Sequence, residues 1–465
     1  MSTAEGDTTA EAPVTNRKQP FPRGFLDTIS TGWADRPESL PSARPQAAFA
    51  AARREKVSAA FDGKRLVIEA GSLKQRSNDT DYPFRAHSAF AHLTGWAADS
   101  EPDSVLVFEP TDAGHEVTLY FRERADRTTT EFYADATVGE FWIGPRPSLA
   151  GVAADLAVAT DHLEAFRPSN DDVTVDDAEL ARVVSELRLI KDEYEITELR
   201  RAVEITARGF DDIIAALPHA AQHARGERVV EGVFHRRARE DGNGEGYDTI
   251  SASGPHACYL HWTRNDGAVI PGDLILVDAG VEADSLYTAD ITRTLPVNGT
   301  FSDVQRRVYE TVLEAADAAF AAARPGVKFR TVHEAAMSVI AKRTAEWGVL
   351  PVSAEQALDA EAGGQHRRYM VHGTSHHLGI DVHDCAQARR EMYYDGELEA
   401  GMVFTIEPGL YFQIDDLTVP EELRGIGVRI EDDILMTADG PVNLSADIPR
   451  TADEVEAWIA RGREA

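Results

Sequence analysis

The sequence predicts a two-domain protein of mixed α/β (α+β) class, and three observations predict it. The chain has 465 residues, whereas a single hydrophobic core usually stops growing at about 250–300. Its first part alternates short β-rich runs with alanine-rich helical stretches. Its second part changes rhythm to pairs of apolar strands separated by helices. A hydrophobic fraction of 43% beside 27% charged residues is the balance of a globular chain.

Residues 1–44 read as a polar tail and lead-in. The first 20 (MSTAEGDTTAEAPVTNRKQP) have no apolar stretch of the kind a signal peptide or anchor needs. An N-terminal α/β unit is expected over 45–188. It opens with a helix at about 45–60, followed by strands at 65–70 (RLVIEA), 104–110 (SVLVFEP) and 116–122 (EVTLYFR). A helix is expected at 149–159, and acidic NDDVTVDDAE at 170–179 reads as a loop or edge. The boundary falls near 185–192. A long helix then starts at Asp192, with Ile196, Leu199, Val203, Phe210, Ile213 and Leu217 at helical spacing, and Pro218 closes it.

The second unit, 189–465, holds two strand pairs: LILVDAG at 274–280 with YTADITRTLPV at 287–297, and MVFTIEPGLYF at 402–412 with GVRIEDDILMT at 427–437. Between them DVQRRVYETVLEAADAAFAAA at 303–323 reads as a helix stopped by Pro325-Gly326. The two pairs, each bearing carboxylates, suggest a duplicated half.

Charge and cysteine content narrow the partners. Lys and Arg number 47 against 79 Asp and Glu, a formal charge of −32. That balance repels nucleic acid and anionic lipid, and no run approaches the ~20 apolar residues of a membrane span. Cys258 and Cys385 lie far apart and form neither a disulfide framework nor a CxxC ribbon. A cytoplasmic protein is expected.

The chemistry lies in the strand pairs. Asp278 and Asp290 are 12 residues apart about a turn-prone EADS segment, a symmetry that sets them opposite one another with Cβ atoms ~5 Å apart. Two carboxylates that close repel unless a proton or cation separates them. Glu407 and Glu431, 24 apart about LTVPEE, repeat the pattern, and His376 from HGTSHH brings the set to five. Four carboxylates and one imidazole suit two divalent ions with a bridging water, the template for metal-assisted hydrolysis. Oxygen-rich ligation favours Mn²⁺ over a structural Zn²⁺. Glu407 is also placed to take a proton from the water. Asp432 and Asp433, beside Glu431, read as cap or turn residues. Arg429 alternates with Glu431 and so shares its sheet face; it either offsets the carboxylate charge or holds substrate. Tyr247 reads as a hydrogen-bond donor to a ligand carboxylate or as a core aromatic.

Other signals carry less. GNGEG at 242–246 does not follow a strand to open a helix, HEAAM at 333–337 ends in Met337 where a zinc site needs histidine, and Ser375 lacks a GxSxG frame. His87, His92 and His115 read as polar surface or loop residues.

VDAG, TADITRT, HGTSHHLGIDVHD, TIEPGLY and GIGVRIEDD resemble, in order, the signature blocks of the aminopeptidase P/prolidase/creatinase family. The resemblance implies a pita-bread catalytic domain, two catalytic metals, usually Mn²⁺, and the five ligands named above. It implies that His261 and His383 bind the residue after the scissile bond and support proton transfer, that His372 contacts substrate, and that Arg429 supports the ligands. SNDTDYPFRAHSAFAHLTGW at 77–96 and GEFWIGPR at 139–146 resemble the N-terminal domain of aminopeptidase P more than that of prolidase. Implied with it are removal of the residue before a proline in second position, a homo-oligomer (dimer or tetramer), and a substrate-side place for Trp142, contributed by a neighbouring subunit. Xaa-Pro dipeptide hydrolysis and a non-catalytic peptide-binding module are the alternatives.

Overall fold

A computed structural model describes residues 21–36, 39–78 and 80–464. Most of the expected N-terminal tail, residues 1–20, lies outside the described residues. The rest of the lead-in holds a short helix, Arg23–Ile29, whose Phe25 meets Tyr133 edge-on with ring centroids 5.3 Å apart.

The N-terminal unit is built on a five-stranded sheet. In spatial order its strands are Ala159–His162, Gly114–Phe121, Val105–Thr111, Leu66–Glu69 and Val173–Thr174. The central pairings are antiparallel and both edges parallel. Alternation sorts the side chains by face. Leu66, Ile68, Leu106, Phe108, Leu119 and Phe121 enter the main core, while Val67, Val105 and Val107 form a small cluster on the other side. The segment 170–179 supplies the edge strand, as its composition suggested. The helix expected over 149–159 is shorter, Leu149–Leu156, because Ala157 turns left-handed (φ 50°) and Ala159 already belongs to a strand.

In the second unit, helix Glu193–Ala220 is started by a capping box in which Asp192 and Glu195 exchange side-chain and backbone hydrogen bonds. Pro218 does not close it. The proline sits in the last turn, where its missing N–H removes a single bond, and the helix ends two residues later. Helix Gly226–Asp241 packs beside it, as does the C-terminal helix Ala452–Glu464; Asp303–Ala322 and Arg330–Glu346 form a second pair. With the helices go two three-stranded and two two-stranded sheets among the described residues. Every residue of Leu274–Ala279 and of Ile291–Pro296 is buried, the mark of strands covered on both faces.

The register of the first strand pair corrects the symmetric expectation. Asp278 stands opposite Thr292, not Asp290. The chain leaves the main ladder after Ala279, runs through the short strand Val281–Glu282, and bridges Glu282 to Thr288 before turning back. Asp290 is thereby two residues out of step. Because side chains alternate with period two, a slip of two preserves the face. The crossing is tight: a Cβ on Gly280 would lie 1.7 Å from the Ala289 carbonyl oxygen, so only glycine fits. The second pair behaves as expected. Ile406 faces Asp432 and Gly409 faces Arg429 in one continuous register, which sets Glu407 opposite Glu431 in the break between ladders.

Buried residues of the second unit, among them Tyr287, Leu378 and Val403, join the core of the first. Arg85 pairs with Glu282 at 2.6 Å and Arg53 with Asp192 at 2.6 Å across the same junction. His92 lies here, contrary to the surface position expected of it. It is 1% exposed on helix Ser88–Thr94, with Nε2 3.2 Å from the Glu195 carboxylate. Its helix presses on the junction, so the imidazole faces a buried acid rather than water. His87 and His115 are polar positions: His87 caps that helix, and His115 donates its Nε2 proton to the Lys64 carbonyl while its Nδ1 shares a hydrogen bond with the Ser58 hydroxyl. Among the described residues no helix is long and apolar enough to cross a membrane.

Candidate metal centre

Every candidate residue except Trp142 lines one cleft of about 640 Å³. Asp278 comes from the end of strand Leu274–Ala279, Asp290 from just before Ile291–Pro296, and Glu407 and Glu431 from the break in the second strand pair. His376 arrives by a different route. Residues 374–378 run beside strand Val403–Ile406: the Thr405 N–H donates to the His376 carbonyl at 2.9 Å and the Glu407 N–H to that of Thr374 at 2.8 Å. His376 is thus fixed next to Glu407.

The ring orientation of His376 follows from its neighbours. Nδ1 donates to the His377 carbonyl at 3.1 Å, which leaves Nε2 facing Asp290 Oδ2 at 3.3 Å and Glu407 Oε1 at 3.8 Å. Holding one nitrogen by a carbonyl so that the other faces a cation is how metal-binding histidines are usually oriented. Asp290, His376 and Glu431 each offer a ligand atom within 4.8 Å of the others.

Asp278 is gripped from two sides. The Tyr247 hydroxyl lies 2.7 Å from Asp278 Oδ1 and 2.6 Å from Asp290 Oδ1, and Arg429 Nη2 donates to Asp278 Oδ2. Tyr247 is therefore not merely a core aromatic, and Arg429, 3% exposed, offsets carboxylate charge from within the cluster. Its remaining nitrogens reach Thr292 Oγ1 and Tyr411 Oη, each at 3.1 Å.

The electrostatics show what the cluster lacks. Burial, reinforced by the neighbouring carboxylates, lifts Glu407 to about 7 even with His376 and Arg429 beside it. Burial and the other acids push Glu431 well above the carboxylate range, and Asp278 is raised despite Arg429. Burial would lower His376, but Asp290 and Glu407 overcome it and hold the imidazole at about 9. Four acids around one guanidinium and one imidazole still have too little positive charge. Hard oxygen donors with one imidazole fit divalent cations.

The other histidines surround this cluster. The His383 ring stands 4.3 Å from that of His376, and burial with that neighbour lowers its pKa. His261 faces the cleft from residues 253–267. Burial, then Arg429, drives His372 down to about 3; its Nε2 is 2.8 Å from Tyr411 Oη and its Nδ1 3.6 Å from Glu407 Oε2.

Three participants escaped the sequence reading. Thr292 Oγ1 donates to Glu431 Oε2 at 2.8 Å, Tyr411 joins His372 to Arg429, and buried Asp433 accepts the Asp290 N–H at 3.2 Å. Two-residue alternation from Asp290, Glu407 and Glu431 was the available signal. Asp432 and Asp433 are not cap or turn residues. Both are buried in strand Asp432–Thr437, and Asp432 pairs with the fully buried Arg293 at 2.7 Å. The strand lies between layers, so its charged residues need internal partners.

Trp142 is elsewhere. It sits on the short helix Glu140–Ile143, 60% exposed, donating its indole N–H to the Tyr133 carbonyl at 2.8 Å. It is neither buried in its own unit nor part of the cleft of a single chain.

Comparison with known proteins agrees with this geometry. Residues 197–438 match metallopeptidase family M24, and residues 50–168 match the aminopeptidase P N-terminal domain. The chain is 50% identical to Xaa-Pro aminopeptidase 1 of Streptomyces coelicolor, covering 97% of this chain and 95% of the relative. It is 34% identical to Xaa-Pro aminopeptidase of Escherichia coli, over 86% and 95%. Among solved structures, aminopeptidase P from E. coli with the inhibitor Pro-Leu superposes with a TM-score of 0.77 at 31% identity, over 91% of this chain and 100% of that one. The chain belongs to metallopeptidase family M24, as a metalloaminopeptidase of the aminopeptidase P group with a pita-bread catalytic domain and the divalent metal ions that family implies.

Proposed function

We propose that this chain removes the N-terminal residue from peptides with proline in second position, using two divalent cations, Mn²⁺, held by Asp278, Asp290, His376, Glu407 and Glu431. The observation that carries the reading is the convergence of these five side chains, from three separate segments, on one cleft. Xaa-Pro relatives at 50% identity over nearly the whole chain support the substrate class. When bound, the cations polarise the scissile carbonyl and acidify the attacking water.

The chain's own groups do the rest. Glu407 accepts the proton of the water, a carboxylate placed at the metals and facing the cleft. His261 and His383 hold the residue after the scissile bond and deliver a proton to the departing proline nitrogen. His372 contacts substrate at the cleft wall. Arg429 and Tyr247 fix the carboxylates of Asp278 and Asp290, so that the ligands need little rearrangement when cations enter.

The functional division follows the sequence reading: 1–44 as lead-in, 45–188 as the N-terminal unit and 189–465 as the catalytic unit, in a cytoplasmic homo-oligomer. Exposed Phe141, Trp142 and Ile143, 59%, 60% and 53% accessible, form an apolar face suited to meeting another subunit. Through that contact Trp142 reaches a neighbour's cleft.

The test is a side-by-side assay of Mn²⁺-loaded protein on Xaa-Pro-Yaa tripeptides and Xaa-Pro dipeptides. The reading expects higher kcat/KM on the tripeptides. A clear preference for dipeptides reassigns the activity to a prolidase.

A further inference from the structure

His261 is exposed to the cleft, and among the described residues its imidazole makes no hydrogen bond. A side chain without an anchor of its own is placed by its backbone. That backbone, residues 253–267, closes around one buried group. Glu227, in the first turn of helix Gly226–Asp241, is 0% exposed. Its Oε1 accepts from the Ser253 N–H at 2.8 Å and from His256 Nδ1 at 2.8 Å. Its Oε2 accepts from the indole N–H of Trp262 at 2.9 Å and from the Gly267 N–H at 2.6 Å. A carboxylate only accepts, so His256 carries its proton on Nδ1.

The four donors belong to the beginning, middle and end of the loop, and Trp262 adjoins His261. The rings of His256 and Trp262 stack with centroids 3.9 Å apart, which locks two of the donors to each other. At the loop's end the fit admits no side chain: a Cβ on Gly267 would lie 2.8 Å from Glu227 Oε2 and 2.7 Å from His256 Cε1. None of these partners lies in the glutamate's own helix. The carboxylate serves the loop.

We infer that Glu227 is the positioning residue for His261, setting the loop so that the imidazole stands where the bound peptide passes; this rests on the reading of His261 as a group that touches substrate. Glu227→Gln keeps the shape but turns an N–H₂ toward one pair of donors. A purely structural role would lower activity whatever occupies position 261, so the test is a double-mutant cycle with His261→Ala, read as kcat/KM on an Xaa-Pro-Yaa tripeptide.

In the presence of His261, Glu227→Gln is expected to lower kcat/KM roughly 10–100-fold, the range for losing a partner that orients an active-site group. Bound Mn²⁺ and the circular-dichroism spectrum should stay as in the parent. In the His261→Ala background the same change should have an effect of about twofold or less, since coupled sites are not additive. Equal losses in both backgrounds overturn the inference, and so does an unchanged rate for Glu227→Gln alone while His261→Ala is impaired. If His261→Ala retains the parent rate, the reading of His261 fails and takes the inference with it. Should Glu227→Gln not fold, Trp262→Phe removes one donor and keeps the ring. The cycle run with it must show the same dependence on His261, and a loss independent of His261 overturns the inference equally.

Discussion

In the proposed function Glu407 has two duties, ligand and base, that His372 does not share. Its carboxyl is lifted to about 7 by burial among other acids, and cations bound beside it would return it to the anionic form. The expected outcome is that Glu407→Gln lowers kcat by roughly 10²–10⁴-fold, the worth of a general base. His372→Ala, which removes a wall contact and a bond to Tyr411, should cost far less. Steady-state kinetics of both variants at matched metal content check this ordering. At this scale the shared cleft of the four acids was legible because each interrupts or adjoins an apolar strand, where an unpaired carboxylate is costly. Thr292 and Tyr411 were not, because threonine and tyrosine are ordinary strand residues and their roles depend on partners far along the chain. Arg429 was half legible: its shared face with Glu431 showed, its grip on Asp278 did not.

The elements were legible in proportion to the burial pattern each carries. Strands buried on both faces stood out as apolar runs. Helix Gly226–Asp241 buries a narrow stripe, Val230, Phe234 and Ala238, beneath a charged surface, and such a stripe gives a weak periodic signal. The register of the second strand pair was correct because the ladders on either side of the acids keep one register; that of the first slipped by two where the chain detours through Val281–Glu282. The loop bearing His383 was beyond sequence reasoning, since its support comes from the linker between units. Asp384, 1% exposed, accepts from Arg188 Nε at 2.9 Å and from Lys191 Nζ at 3.2 Å. Burial would raise Asp384, but the two cations overcome it and hold it below its ordinary value. A depressed carboxylate contributes stability above its unfolded pKa and loses it as pH falls through the folded one. Asp384→Asn strands two buried cations and should destabilise the fold by about 3–5 kcal/mol near neutrality. Thermal denaturation should show the gap to the parent narrowing as pH drops below about 4, the ordinary aspartate range.

At the scale of the whole molecule, the two units share a core and ion pairs, so the N-terminal unit is fixed against the segments that carry the metal centre. Its exposed apolar face at Phe141–Ile143 stands apart from the cleft of a single chain. If the proposed homo-oligomer forms, Trp142→Ala should lower kcat/KM while melting temperature and metal content hold, because the side chain is 60% exposed and supports little of its own unit. An active monomer by light scattering contradicts the contribution from a neighbour. The central claim, hydrolysis by two cations at five ligands, is tested most directly by titrating metal-free protein with Mn²⁺ while following cleavage of an Xaa-Pro-Yaa peptide. The account predicts no hydrolysis without metal and a rise that saturates at two bound Mn²⁺ per chain. Full activity in protein shown by elemental analysis to hold no metal contradicts it.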